Sequence, residues 1–148
     1  MHPDDVQGTI LAQMEQAYLN AFPTQCTIIR PSGIYGTSVI RLQKLAAQLT
    51  HYPNVHWSNR IHIDDLAAFL ARLIHVEHLE SSYILSNNQP QLLSDVIQWF
   101  QREMGLPVLT VESCKVTGKK LYATRLQQMG FELQHPDCYA DYRALLQQ

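Results

Sequence analysis

The sequence has 148 residues, 46% of them hydrophobic and 16% charged, and its 11 Lys and Arg against 13 Asp and Glu give a formal net charge of −2. A chain this long buries roughly 68–70% of its unfolded surface, so plentiful apolar surface at low net charge excludes a disordered chain. The lack of basic excess argues against a nucleic-acid binder led by electrostatics.

No run approaches the roughly 18 apolar residues of a membrane span. The opening Met1-His2-Pro3-Asp4-Asp5 has neither the positive flank nor the apolar stretch of a secretory signal. Cys26, Cys114 and Cys138 are odd in number and show no CxxC spacing, which predicts reduced thiols in a cytoplasmic protein.

Over residues 6–22, Ile10, Leu11, Met14, Ala17, Tyr18 and Ala21 recur at spacings of three and four, the stripe of an amphipathic helix that Pro23 ends. Cys26-Thr27-Ile28-Ile29 reads as a buried strand. Pro31-Ser32-Gly33-Ile34-Tyr35-Gly36 reads as a loop at that strand's carboxyl end. Residues 39–49 form a second helix, broken by Tyr52-Pro53. His56-Trp57 and Arg60-Ile61-His62-Ile63 are extended, and Asp64 is the expected N-cap of a helix carrying Leu66, Phe69, Leu70, Leu73 and Ile74.

Ser82-Tyr83-Ile84-Leu85 is a further strand. A helix opening near Ser94 carries Val96, Ile97, Phe100 and Met104, and Gly105 and Pro107 close it. Residues 108–111 form a strand, residues 117–129 a helix stopped by Gly130, and a last helix begins near Tyr139. The alternation predicts an α/β fold with at least part of its sheet parallel, in one unit spanning residues 1–148.

Two segments carry chemistry. The Arg30-Pro31-Ser32-Gly33 run sits where open parallel sheets bind ligands, with Pro31 stiffening the chain and Gly33 and Gly36 admitting a close approach. Asn59-Arg60-Ile61-His62-Ile63-Asp64-Asp65-Leu66-Ala67 offers His62, Asp64 and Asp65 to a metal. The spacing does not converge them, and a helix N-terminus accounts for both aspartates without an ion. No metal site is expected. A Ser32, His62 and Asp64 triad lacks the G-x-S-x-G elbow. His2, His51, His56, His75, His78 and His135 read as solvated or locally bonded, and Lys115, Lys119, Lys120 and Arg125 as a solvated helix face.

Taken together, Glu15, the Ile29-Arg30-Pro31-Ser32-Gly33-Ile34-Tyr35-Gly36 run, the Asn59 to Ala67 segment and the tail with Gly118, Gly130-Phe131, Pro136 and Tyr142 resemble the C-terminal half of an extended or atypical short-chain dehydrogenase/reductase, the NAD-dependent epimerase/dehydratase family. The resemblance implies a partial Rossmann-like fold, with a mixed short sheet and flanking helices, that forms the substrate side of an enzyme acting on nucleotide sugars. It implies NAD or NADP in an intact parent, on an N-terminal dinucleotide-binding part absent from this sequence. No G-x-G-x-x-G or G-x-x-G-x-x-G fingerprint occurs here.

Aligning Glu15 with the family's helix puts Gln7 at the catalytic tyrosine and Leu11 at its lysine. Neither can titrate, so no catalytic residue is assigned, and the chain alone is expected to be inactive as an oxidoreductase and to bind no cofactor of its own. The resemblance places Pro31, Ser32 and Gly33 beside the nicotinamide. It places Ile34, Tyr35, Arg41, Asn59, Arg60 and His62 around the substrate. The alternative is a non-catalytic binding or dimerisation module of the same fold, pairing with itself or with a separate N-terminal half.

Overall fold

The computed structural model describes residues 6–147, so the Met1 to Asp5 segment and His2 lie outside the described residues. Helix α1 spans Val6–Ala21, as the stripe predicts, yet it has no buried residue. Ile10, Met14 and Tyr18 are each more than half exposed. Among the described residues, an ion pair made by Glu15 with the Arg30 guanidinium of the following strand ties α1 to the sheet.

The backbone then crosses between two strand pairs. Strand β1 (Ile28–Pro31) runs parallel to β6 (Ser82–Leu85), with Ile28 opposite Ser82. Strand β2 (Gly33–Tyr35) runs parallel to β5 (Arg60–His62), with Tyr35 opposite His62. The change of partner occurs at Ser32, whose N–H donates to Leu85 O at 2.9 Å, while the Gly33 N–H donates to Asn59 O at 3.0 Å. Residues 31–36 are therefore mostly strand, not the expected loop. Two parallel neighbours have taken the backbone donors that a loop would leave free.

Between these pairs come α2 (Ile40–Gln48), β3 (His51–Tyr52) and β4 (Val55–Ser58). After β5, helix α3 covers Ile63–Leu73, and its N-cap is His62, not Asp64. The His62 imidazole Nδ1 accepts the Asp64 N–H at 3.2 Å, so the histidine does the capping and both aspartates fall in the first turn.

After β6 come β7 (Gln91–Leu92), α4 (Leu93–Glu103), β8 (Thr110–Val111), β9 (Val116–Gly118), α5 (Thr124–Gln128) and α6 (Cys138–Leu146). Gly105 ends α4 as expected, at φ +65, with its N–H on Arg102 O and the Leu106 N–H on Gln101 O. The helix expected over residues 117–129 shortens to α5. Val116 and Thr117 pair parallel with Val55 and His56 instead, and the Thr117 hydroxyl lies 2.9 Å from His56 Nδ1. Pairing with a strand far away in sequence overrides the local pattern.

Two apolar clusters hold these layers. One gathers Val39, Ala46, Val96, Ile97, Phe100, Leu109, Cys138 and Tyr142, where α2 packs on α4 and α6 closes over them. The other gathers Ile61, Phe69, Leu73, Tyr83, Leu85, Ala123 and Leu126, between the β1–β6 pair, α3 and α5. A fully buried Val, Ile, Leu or Phe among them contributes about 1.5–3 kcal/mol. A buried amide bridges three segments of the first cluster. Gln101 Nε2 donates to Ala46 O at 3.0 Å and Leu49 O at 2.7 Å, and its Oε1 accepts the Leu109 N–H at 2.8 Å. Every polar atom of that side chain is used.

Candidate functional site

The β2–β5 pair delivers its residues to a cleft of about 340 Å³ bounded by α2 and α6. Gly33, Ile34, Tyr35, Arg41, Arg60 and Tyr142 line it, with Ser38 at the α2 end. Gly33 suits that position because a Cβ would stand 3.0 Å from both Arg60 Nη1 and Asn59 O, tighter than an ordinary contact. Gly36 is needed behind it. At φ +124, a Cβ would lie 2.4 Å from the His62 ring.

Arg60 is aimed by two contacts: its Nε donates to Tyr142 Oη at 3.2 Å and its Nη1 to Asn59 O at 3.0 Å. Arg41 comes from the first turn of α2, whose N-terminal Ile40 N–H is held by Ser38 Oγ at 3.2 Å. Among the described residues no carboxylate lines the cleft. Among the described residues neither guanidinium is ion-paired, so two cations face a small apolar-walled space. That is the electrostatic setting for an anion, and a guanidinium fork matches phosphate geometry.

Tyr35 forms the back wall, its hydroxyl bonded to Asp141. Burial, and then its bond to Asp141, push its phenol far above the ordinary tyrosine range. Its Oη donates to Asp141 Oδ2 at 2.6 Å. Burial is the main cause that raises Tyr139 and Tyr142 to about 12. All three remain neutral phenols at physiological pH.

Behind Tyr35, the His62 and His135 rings stack with centroids 3.6 Å apart and planes 14° apart. His135 Nδ1 lies 2.9 Å from Asp141 Oδ1, and that bond raises the His135 pKa above 6.5. Donor atoms of His62, His135 and Asp141 come within 4.8 Å of one another. A metal ion must sit in the plane of each imidazole that binds it, and parallel stacked planes share no such point. His62 Nδ1 is also occupied by the Asp64 N–H. Asp65, which the sequence offers beside them, is buried and accepts the backbone N–H groups of Gln134 and His135 at 2.7 and 3.1 Å. The cluster is a structural joint between α3 and the segment leading into α6.

The residues singled out in the sequence thus separate into two sets. Gly33, Ile34, Tyr35, Arg41 and Arg60 share the cleft. Pro31 and Ser32 lie at the strand switch, and Ser32 Oγ is buried with no hydrogen-bond partner, so no serine–histidine pair forms among the described residues. Asn59 is spent on the 119–121 segment, donating to Lys119 O and accepting the Leu121 N–H, both at 2.8 Å. His62 lies behind Tyr35. Sequence reasoning missed Asp141 and placed His135 among scattered histidines. No local signal marks either, because the Tyr35 and Asp141 side chains meet across 106 positions.

A cleft built on parallel strands, with helices on its flanks, fits a Rossmann-like α/β arrangement. Solved structures share this arrangement. A protein from Methylobacillus flagellatus described as an NAD-dependent epimerase/dehydratase is 35% identical with a TM-score of 0.80, over 99% of this chain and 55% of its own. UDP-N-acetylglucosamine 4-epimerase from Bacillus cereus, 14% identical, has a TM-score of 0.72 over 98% of this chain and 54% of its own. RMD from Pseudomonas aeruginosa, solved with NADPH, is 15% identical with a TM-score of 0.70 over 99% and 56%.

No protein-family profile and no curated protein sequence matches the chain. The chain has the fold of the NAD-dependent epimerase/dehydratase group of short-chain dehydrogenases/reductases, and spans about half the length of the solved structures it matches.

Proposed function

We propose that this chain is the substrate-side portion of an NAD(P)-dependent epimerase, dehydratase or reductase of the cytoplasm, and that its cleft takes the diphosphate of a nucleotide sugar. The observation that carries this reading is the pairing of Arg41 and Arg60 on a cleft lined, among the described residues, by no carboxylate. Arg60 would hold a phosphate through the guanidinium edge that Tyr142 and Asn59 leave open. Ile34 and Tyr35 would wall the sugar.

The residues here do not fit a dinucleotide. The sequence carries no glycine fingerprint, and the orphaned Ser32 Oγ is shut away from solvent rather than turned to a ligand. Pro31, Ser32 and Gly33 would border a nicotinamide only as a wall, and NAD or NADP belongs to an intact parent. With Gln7 and Leu11 where the family's tyrosine and lysine stand, hydride exchange by this chain alone is not expected.

Calorimetric titration with UDP-glucose, NAD and NADP tests the reading. UDP-glucose binds, Arg60→Gln weakens it about tenfold through loss of a charge-assisted bond, and neither dinucleotide binds. Micromolar NAD or NADP affinity overturns it.

The second reading, a non-catalytic pairing module, draws on α1. Ile10, Met14 and Tyr18 are exposed along one helix, and β1 has only β6 beside it among the described residues. An apolar stripe and an open strand edge favour association with a second copy or a separate N-terminal half. A clean monomer by light scattering at high concentration counts against that reading.

A further inference from the structure

His135 stands where the segment entering α6 meets α3 and the back of the cleft. Its Nδ1 lies 2.9 Å from Asp141 Oδ1, and its Nε2 lies 3.8 Å from Asp64 Oδ2. Its ring covers His62, and its backbone N–H is held by Asp65 Oδ2 at 3.1 Å. Tyr35 reaches its carbonyl oxygen at 3.5 Å. The titratable groups facing it are therefore Tyr35 from β2, His62 from β5, Asp64 and Asp65 from α3, and Asp141 from α6. Three carboxylates around the ring favour its charged form.

Two contacts lead from this joint into the cleft. Asp141 accepts the Tyr35 phenol at 2.6 Å, and Tyr142, the next residue of α6, accepts Arg60 Nε at 3.2 Å. Both tyrosines line the cleft. Moving α6 away from α3 would release the Tyr35 hydroxyl and leave Arg60 without its side-chain partner.

We propose that His135 is a positioning residue for the cleft: its imidazolium docks α6 through Asp141 and Asp64, the docked helix sets Tyr35, Tyr142 and Arg60, and binding of a nucleoside diphosphate is thereby linked to a proton. The proposal rests on the reading of the cleft as an anion site. The docked state raises the His135 pKa, so its contribution is full below the ordinary histidine value of 6.5 and is lost as pH rises through the docked-state value.

Trp99 supplies a reporter. Its ring lies 5.2 Å from Tyr139 and 6.2 Å from Tyr142, both on α6, so its fluorescence reads the docking of that helix. The experiment uses the full chain with Trp57→Phe, leaving Trp99 as the sole tryptophan, with UDP as probe. The parent shows a Trp99 transition with a midpoint above pH 6.5, absent in His135→Gln and shifted downward in Asp141→Asn. Relative to His135→Gln, the parent binds UDP about fivefold tighter near pH 6, and the two converge near pH 9. Equal UDP pH profiles in the parent and His135→Gln overturn the linkage alone, since the phosphate's own titration is common to both. A Trp99 transition that persists in His135→Gln overturns the docking role. Absence of UDP binding at every pH overturns the cleft reading, and the linkage falls with it.

Discussion

Glu15 of α1 and Arg30 of β1 form a two-pronged ion pair, with Arg30 Nε 2.9 Å from Oε1 and 3.1 Å from Oε2 and a further bond from Nη2 to Oε2. The pairing holds the glutamate below the ordinary carboxylate range and the guanidinium above its own. A helix with no buried side chain is thus tied to the sheet, among the described residues, through a charged contact.

Glu15→Gln is expected to cost about 1 kcal/mol, as for a partly exposed charged hydrogen bond. Because the folded-state pKa of Glu15 is depressed, the contribution is present above 4.5 and lost as pH falls through the folded value. Hydrogen exchange checks it: α1 amides lose about fivefold of their protection in the variant at neutral pH. The difference from the parent vanishes in acid.

Gln101 makes the opposite point about polarity. Gln101→Leu makes the core more apolar, yet it strands the carbonyls of Ala46 and Leu49 and the N–H of Leu109. The expected cost is about 2–3 kcal/mol, read from the urea midpoint. A neutral or stabilising result would mean that α2 and the 105–109 segment are held by packing alone.

Gly36 and Gly105 both have positive φ, but their surroundings differ. Gly105→Ala meets nothing within 4 Å and is expected to cost about 1 kcal/mol for the backbone alone. Gly36→Ala drives a methyl into the His62 ring and is expected to cost about 3 kcal/mol or more. Thermal unfolding of the two variants side by side separates strain from collision.

The three thiols should react in order of access. Cys114 is exposed, whereas Cys138 is fully buried, bonds to Gln91 Oε1 at 3.3 Å and has its pKa raised by burial. Iodoacetamide followed by mass spectrometry is expected to alkylate Cys114 in the native protein and Cys138 only in denaturant.

Where the chain's own neighbours decide its conformation, the sequence was a sufficient guide. The stripe of α1, the exit of α4 at Gly105 and the strand Ser82–Leu85 are local patterns, and the structure has each of them. Residues 31–36 and 116–118 read wrongly because distant strands claim their hydrogen bonds. The cap of α3 was misread for a subtler reason, since a histidine seldom caps and Asp64 is the commoner choice. Arg60 was singled out because its motif is contiguous. Asp141 and His135 were not, because only folding brings them to Tyr35 and His62.

Every strand ladder described here joins segments remote in the chain. The nearest in sequence matches Gly33 to Arg60, and the others match Trp57 to Leu92, Ile28 to Ser82, His51 to Thr110 and Val55 to Val116. Not one is a hairpin of consecutive strands. A chain wired this way has no short turn from which a sheet can zip, so it must close long loops before the first ladder bond rewards the lost entropy. Refolding is therefore governed by the search for distant partners, and until they meet the edges of β1 and β4 stay open to other chains.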